Sequence, residues 1–109
     1  MGEINVKNIN LGDVEHNIKG ATALLKALSN ENRLKIICTL HKSERCVNEL
    51  VSIVGLRQSA LSQQLACLRQ DGLVKTRREA QTIYYMIRDE ATSEILQTLC
   101  RIFCPKGSK

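Results

Sequence analysis

The segment VNELVSIVGLRQSALSQQLACLRQDGLVKTRREAQTIYYMI, residues 47–87, decides the fold. Its first part predicts a short helix from about Val47 to Val54 that turns Leu50, Val51 and Val54 to one side, closed by the glycine turn VGLRQ. A second helix follows over about residues 59–70, with Leu61, Leu65 and Leu68 in a single buried stripe. Two short helices joined by a tight turn containing glycine predict a helix-turn-helix. The pattern then changes: the branched and aromatic runs LVKT and TIYYMI flank the polar tip RREAQ, which predicts a β-hairpin.

Upstream of this segment, Val14, Ile18, Ala21, Leu25 and Leu28 fall at helical spacing and predict a helix over residues 13–28. LSNENRL breaks the chain and restarts it, because Asn30 or Ser29 can accept from the open backbone donors of the next helix. Leu34, Ile37, Cys38 and His41 share one face of that helix, so Cys38 is expected to point inward and His41 to be satisfied structurally. Downstream, Ile95, Leu96, Leu99, Ile102 and Phe103 predict a last helix over about residues 90–103. Residues 1–12 show no period and are expected to form a flexible N-terminus; residues 105–109 form a tail after Pro105. The expected architecture is mainly α with a β-hairpin wing. It is a winged helix-turn-helix domain over residues 13–104, with four helices, a hairpin and a final helix.

At 109 residues the chain fits one domain, small enough that a second copy would add useful burial. An apolar fraction of 43% and a charged fraction of 25% fit a globular protein, and no apolar run approaches the roughly 20 residues that span a bilayer. MGEINVKNINLG lacks the basic start and apolar stretch of a secretory signal, so the cytoplasm is expected. The net charge is +5, unevenly placed. Residues 57–88 hold six basic residues (Arg57, Arg69, Lys75, Arg77, Arg78, Arg88) against two acids (Asp71, Glu79), a local +4 that leaves +1 for the rest. Such a concentration suits a polyanion such as DNA, although a solvated basic face is the plain alternative.

The outward positions of the second helix-turn-helix helix sharpen that choice. Ser59, Ser62, Gln63 and Ala66 are small or bear amides. Gln and Ser can hydrogen-bond to base edges, and small residues let a helix approach the floor of the major groove. Gln58 and Gln63 are candidates for base contacts, Ser59 and Ser62 for the same groove-facing surface, and Arg57 and Arg69 for phosphate contacts that set register. In the hairpin, Lys75, Arg77, Arg78 and Gln81 surround the tip, where Arg77 or Arg78 would reach the minor groove or the backbone. Tyr84 and Tyr85 face opposite sides of a strand, so at least one packs inward or against a partner. No nucleophile with a matched base and no phosphate-binding glycine loop is present, so an enzyme is not expected.

Five cysteines (Cys38, Cys46, Cys67, Cys100, Cys104) form an odd set that argues against a disulfide framework and leaves redox sensing, soft-metal binding or burial. Cys104, near the chain end, would gain little from core packing.

LLKALSNENRLKIICTL, LRQSALSQQLACLRQDGLVKTRREAQTIYYMI and the terminal helix together resemble the ArsR/SmtB family of small dimeric winged-helix repressors, over residues from about 20 to 104. RQSALSQQLACLRQDGLVKTRRE followed by TIYY is most similar to the branch of biofilm-growth-associated and sulfide-responsive repressors, BigR and SqrR, with the HlyU regulators close by. The resemblance implies a homodimer on an inverted-repeat operator in double-stranded DNA. It also implies two sensing thiols, Cys38 in IIC and Cys104 in IFC, bridged by reactive sulfur species through a polysulfide or disulfide. No cofactor is implied. The sequence departs from the metal-sensing relatives: ERCVNEL keeps one cysteine, Cys46, with Asn48 in place of a second, and the last helix has Asp89 and Glu94 but no histidine. Cys38, Cys100 and Cys104 remain as an alternative soft-metal set, which would make the chain an arsenite-responsive repressor. A third alternative is an activator that displaces another DNA-binding protein. SQQL, with Gln64 where the family often has histidine, bears on which operator is read.

Overall fold

The computed structural model describes the backbone of residues 11–103 and side chains from Ile18 onward. The elements run α1 (Leu11–Leu28), α2 (Glu31–Lys42), β1 (Arg45–Cys46), α3 (Val47–Val54), α4 (Gln58–Gln70), β2 (Val74–Glu79), β3 (Thr82–Ile87) and α5 (Glu90–Phe103). This is the expected winged helix-turn-helix with one addition, the two-residue strand β1. It pairs antiparallel with β3 and makes the wing a three-stranded sheet of order β1-β3-β2. A strand of two residues has no period to detect. The expected flexible N-terminus lies almost wholly outside the described residues, as do the tail and Cys104.

Local chemistry accounts for most of the element ends. Asn30 caps α2, its Oδ1 accepting from the Arg33 backbone N–H at 3.1 Å. Gly55 ends α3 in the left-handed region (φ 85°), donating its N–H to the Val51 carbonyl at 3.0 Å. After α4, the Leu73 N–H reaches back to the Leu68 carbonyl at 3.0 Å across Gly72, also left-handed at φ 81°, which turns the chain into the wing. Asp89, just before α5, accepts from the Thr92 N–H at 3.0 Å and so caps the last helix.

The core is built from one stripe of each helix. Ile36, Ile37 and Leu40 of α2, Leu50 of α3, Leu61, Leu65 and Leu68 of α4, and Leu96 of α5 are buried together with Leu73 and Val74 at the start of the wing. Each such side chain contributes roughly 1.5–3 kcal/mol on removal from water, so the α4 leucines alone fix how that helix is rolled on the core. The buried face of α2 centres on Ile36, Ile37 and Leu40, which leaves Leu34, Cys38 and His41 half-buried at its margin.

The expected apolar stripes of α1 and α5 divide. Ala27 and Leu28 are buried and Leu24 packs beside them, yet Ile18 is 57% exposed and Leu25 is 60% exposed. In α5, Leu96 is buried, but Ile102 is 61% and Phe103 76% exposed. No helix among the described residues is long and apolar enough to cross a membrane.

Candidate nucleic-acid interface and cysteine region

With Leu61, Leu65 and Leu68 held in the core, the helical period turns Ser59, Ser62, Gln63 and Ala66 outward, and all four are exposed. Gln58 and Arg57 are exposed at the start of α4, and Arg69 at its end. Arg57 has the extended backbone of a cap residue but makes no side-chain cap, so its guanidinium is not committed to the helix end. The residues expected to read bases and those expected to touch phosphates therefore lie on one accessible surface. Gln64 does not share it. It is half-buried, and its Oε1 accepts from Arg33 Nε at 2.8 Å, tying α4 to the first turn of α2. This link joins residues far apart in sequence and was not legible there.

The wing differs in detail from the expected tip. β2 and β3 stay paired from Val74↔Ile87 to Glu79↔Thr82, so the turn is only Ala80 and Gln81, and Arg77 and Arg78 sit within β2. Ala80 takes the left-handed conformation at φ 56°. Gln81, Arg78 and Lys75 are exposed. Strand alternation sends the two arginines to opposite faces. Arg78 shares the face of Val74 and Thr76, continuing the side that covers the core and α4. Arg77 is on the other face, where its Nε donates to Glu44 Oε1 and its Nη1 to Glu79 Oε1 at 3.0 Å. Its guanidinium carbon also lies 4.6 Å from the centre of the Tyr84 ring. The hydrogen bonds it donates to Glu44 and then to Glu79 hold the guanidinium still more firmly protonated than usual. Tyr85, opposite in sense, packs against the core.

Cys38 is half-buried on α2, against the core, and lines a shallow pocket of about 230 Å³ with Thr39, Lys42, Arg45 and Ile53. His41 was expected to be satisfied structurally; instead its Nδ1, like Nε of Arg45, is buried with no hydrogen-bond partner among the described residues. Cys46 is the cap residue just before α3, and its backbone N–H donates to Glu49 Oε1 at 3.0 Å. That bond, then the Cys46 side chain and the charge of Arg45, hold the Glu49 carboxyl below the usual carboxylate range. Cys67 and Cys100 are half-buried. No three His, Cys, Asp or Glu side chains converge on a metal-sized site among the described residues, and the third member of the alternative thiol set, Cys104, lies outside them. Asp89, which has no histidine beside it in the last helix, serves as a helix cap. A concavity of about 800 Å³ opens between α1, the turn after α4 and the start of α5.

A polar, accessible second helix of a helix-turn-helix beside a basic hairpin defines a winged-helix DNA-binding transcriptional regulator. The chain belongs to the ArsR family: the family described as "Bacterial regulatory protein, arsR family" matches residues 30–76. The chain is 48% identical over 96 residues to the transcriptional activator HlyU of Vibrio cholerae serotype O1, covering 88% of this chain and 89% of that protein. The crystal structure of the transcriptional repressor BigR from Xylella fastidiosa superposes with a TM-score of 0.79 at 37% identity, covering 90% of this chain and 100% of that one. The homodimeric winged helix-turn-helix DNA-binding domain of a possible ArsR-family regulator from Mycobacterium bovis superposes with a TM-score of 0.73 at 25% identity, covering 94% and 89% of the two chains.

Proposed function

We propose that the chain is a homodimeric, dithiol-based repressor that binds an inverted-repeat operator when reduced and releases it when Cys38 and Cys104 are bridged by reactive sulfur species. The observation that carries the DNA half is the exposed, uncharged row Ser59, Ser62 and Gln63 on α4, bracketed by Arg57 and Arg69. In this reading Gln58 and Gln63 contact base edges in the major groove, and Ser59 and Ser62 line the approach. Arg57 and Arg69 hold phosphates, while Arg78 and Gln81 bring the wing to the backbone or minor groove. The dimer reading is supported by the exposed apolar side chains of α1 and α5 and by the homodimeric Mycobacterium bovis structure. Two recognition helices must then present themselves about 34–36 Å apart, and a small rotation between subunits spoils simultaneous docking.

The sensing half rests on Cys38 in IIC and Cys104 in IFC. It is supported by the packing of α2 on α5, whose last described residue, Phe103, precedes Cys104. The Cys38 thiolate attacks the sulfane sulfur of a persulfide, releasing the donor as its thiol and leaving a Cys38 persulfide. Attack by Cys104 on the sulfur bonded to Cys38 carbon expels hydrosulfide and leaves a disulfide; a further sulfur transfer before closure leaves a longer bridge. The link constrains α2 against α5, and a coupling of only about 1–3 kcal/mol is enough to regulate DNA affinity.

The test is intact-mass and peptide mass spectrometry after anaerobic exposure of the reduced protein to a persulfide donor, with binding to a duplex selected from random sequence followed in parallel. A Cys38–Cys104 link together with DNA release is expected. Unmodified thiols with undiminished binding overturn the sensing half and leave the DNA half standing. The name of the Vibrio cholerae relative favours a second reading, activation by displacing another DNA-binding protein. Under it, substitution of either cysteine leaves regulation unchanged.

A further inference from the structure

The two adjacent arginines of the wing are alike in sequence and unlike in place. Arg77 lies in a cross-strand row with Tyr84 of β3 and Cys46 of β1, so its side chain crosses the tyrosine ring to reach Glu44, the residue just ahead of β1. Glu44 itself follows α2 by two residues. The guanidinium thus spans the sheet from β2 to the corner between α2 and β1, with Glu79 fixing its other edge. A planar fork that stacks on a ring while donating to two carboxylates is a task for arginine, not for lysine. Two acids beside one base also make the spot a poor place for a phosphate.

We infer that Arg77 is a positioning residue, a clamp joining the wing to the α2–β1 corner through Glu44 and Tyr84, and that the wing's phosphate contact falls to Arg78 on the opposite face. This rests on the reading that α4 and the wing dock on DNA, and it replaces the sequence-based expectation that either arginine could serve. The clamp also gives the wing a direct mechanical tie to the end of α2, the helix that carries Cys38.

The experiment measures dissociation constants against salt on a fluorescent mixed-sequence duplex for the full chain and for Arg78→Gln, Arg77→Lys, Arg77→Gln and Glu44→Gln. Arg78→Gln is expected to lower the slope of log affinity against log salt by about two for a dimer, one phosphate per subunit. Arg77→Gln and Arg77→Lys are both expected to weaken binding about threefold, as does Glu44→Gln, with the slope unchanged and melting temperatures near that of the parent. The Arg77→Gln, Glu44→Gln double variant should be no weaker than either single one. The sign for Glu44 is diagnostic, because removing an acid near DNA strengthens binding unless that acid is holding something in place. Rescue by Arg77→Lys, a reduced slope in Arg77→Gln, or equal or tighter binding by Glu44→Gln overturns the clamp while leaving the DNA interface intact. Unchanged affinity and slope in Arg78→Gln, joined by unchanged affinity of Gln63→Ala for a duplex selected from random sequence, overturns the interface and the clamp with it.

Discussion

Two kinds of exposed helix face lie on this small domain, and they differ in chemistry. The outward side of α4 offers serine, glutamine and arginine, whereas the outward sides of α1 and α5 offer Ile18, Leu25, Ile102 and Phe103. Both are solvent-facing in the single chain, yet only one is chemically at ease there. An amide-bearing face is stable in water and ready to exchange water for base edges. An exposed phenylalanine and three exposed branched side chains carry a hydrophobic cost, which under the proposed dimer a second copy removes. Exposure alone does not define a nucleic-acid surface; the identity of the exposed atoms separates a polar, amide-bearing side from an apolar one, which the proposed function reads as the reading side and the assembling side.

The strongest way to break this comparison is to make the apolar faces polar. Leu25→Glu combined with Phe103→Glu should give a monomer in sedimentation and lower operator affinity by about 10²–10⁴-fold, because the second recognition helix is no longer tethered to the first. A variant that remains dimeric with parental affinity would move the assembling side elsewhere. A smaller effect is expected on the reading side. Gln63→Ala should reduce discrimination between a selected site and random DNA by about 1–3 kcal/mol if the amide makes a bidentate base contact, with equal loss on both DNAs contradicting that role. The smallest effect concerns the wing that flanks the reading face. Ala80 is left-handed, a conformation costing a residue with a Cβ about 1–2 kcal/mol, so Ala80→Gly should be neutral or raise stability by up to about 1 kcal/mol after the added freedom of the unfolded chain is offset. Chemical denaturation checks this, and a clear loss of stability would mean that the turn is held by something other than backbone preference.

Much of the fold was legible because its signals are local. The spacing of Leu61, Leu65 and Leu68 fixes both the existence of α4 and which side of it is wet, and all three are fully buried. Asn30 as a cap, Gly55 as a helix stop and the paired runs of the wing are equally short-range signals. Other features escaped for a physical reason. β1 is too short to show alternation and forms only because β3 presents an open edge. His41 could be placed at a helix face by period, but whether its ring nitrogen finds a partner depends on the surrounding packing.

What the sequence determined by itself is therefore the set of elements, the leucine stripes that join them and the polar character of the face left over, since each follows from periodicity within a dozen residues. What only the tertiary structure decided is the use made of individual polar side chains. Gln64 is drawn from the exposed face of α4 by Arg33 across 31 positions of chain, and Arg77 reaches Glu44 across 33. Strand alternation separates neighbours such as Arg77 and Arg78, but Glu44, which Arg77 meets on its side, is supplied by a distant segment. No local pattern encodes that arrangement, because hydrogen bonds and ion pairs depend on where folding brings two groups rather than on their spacing along the chain.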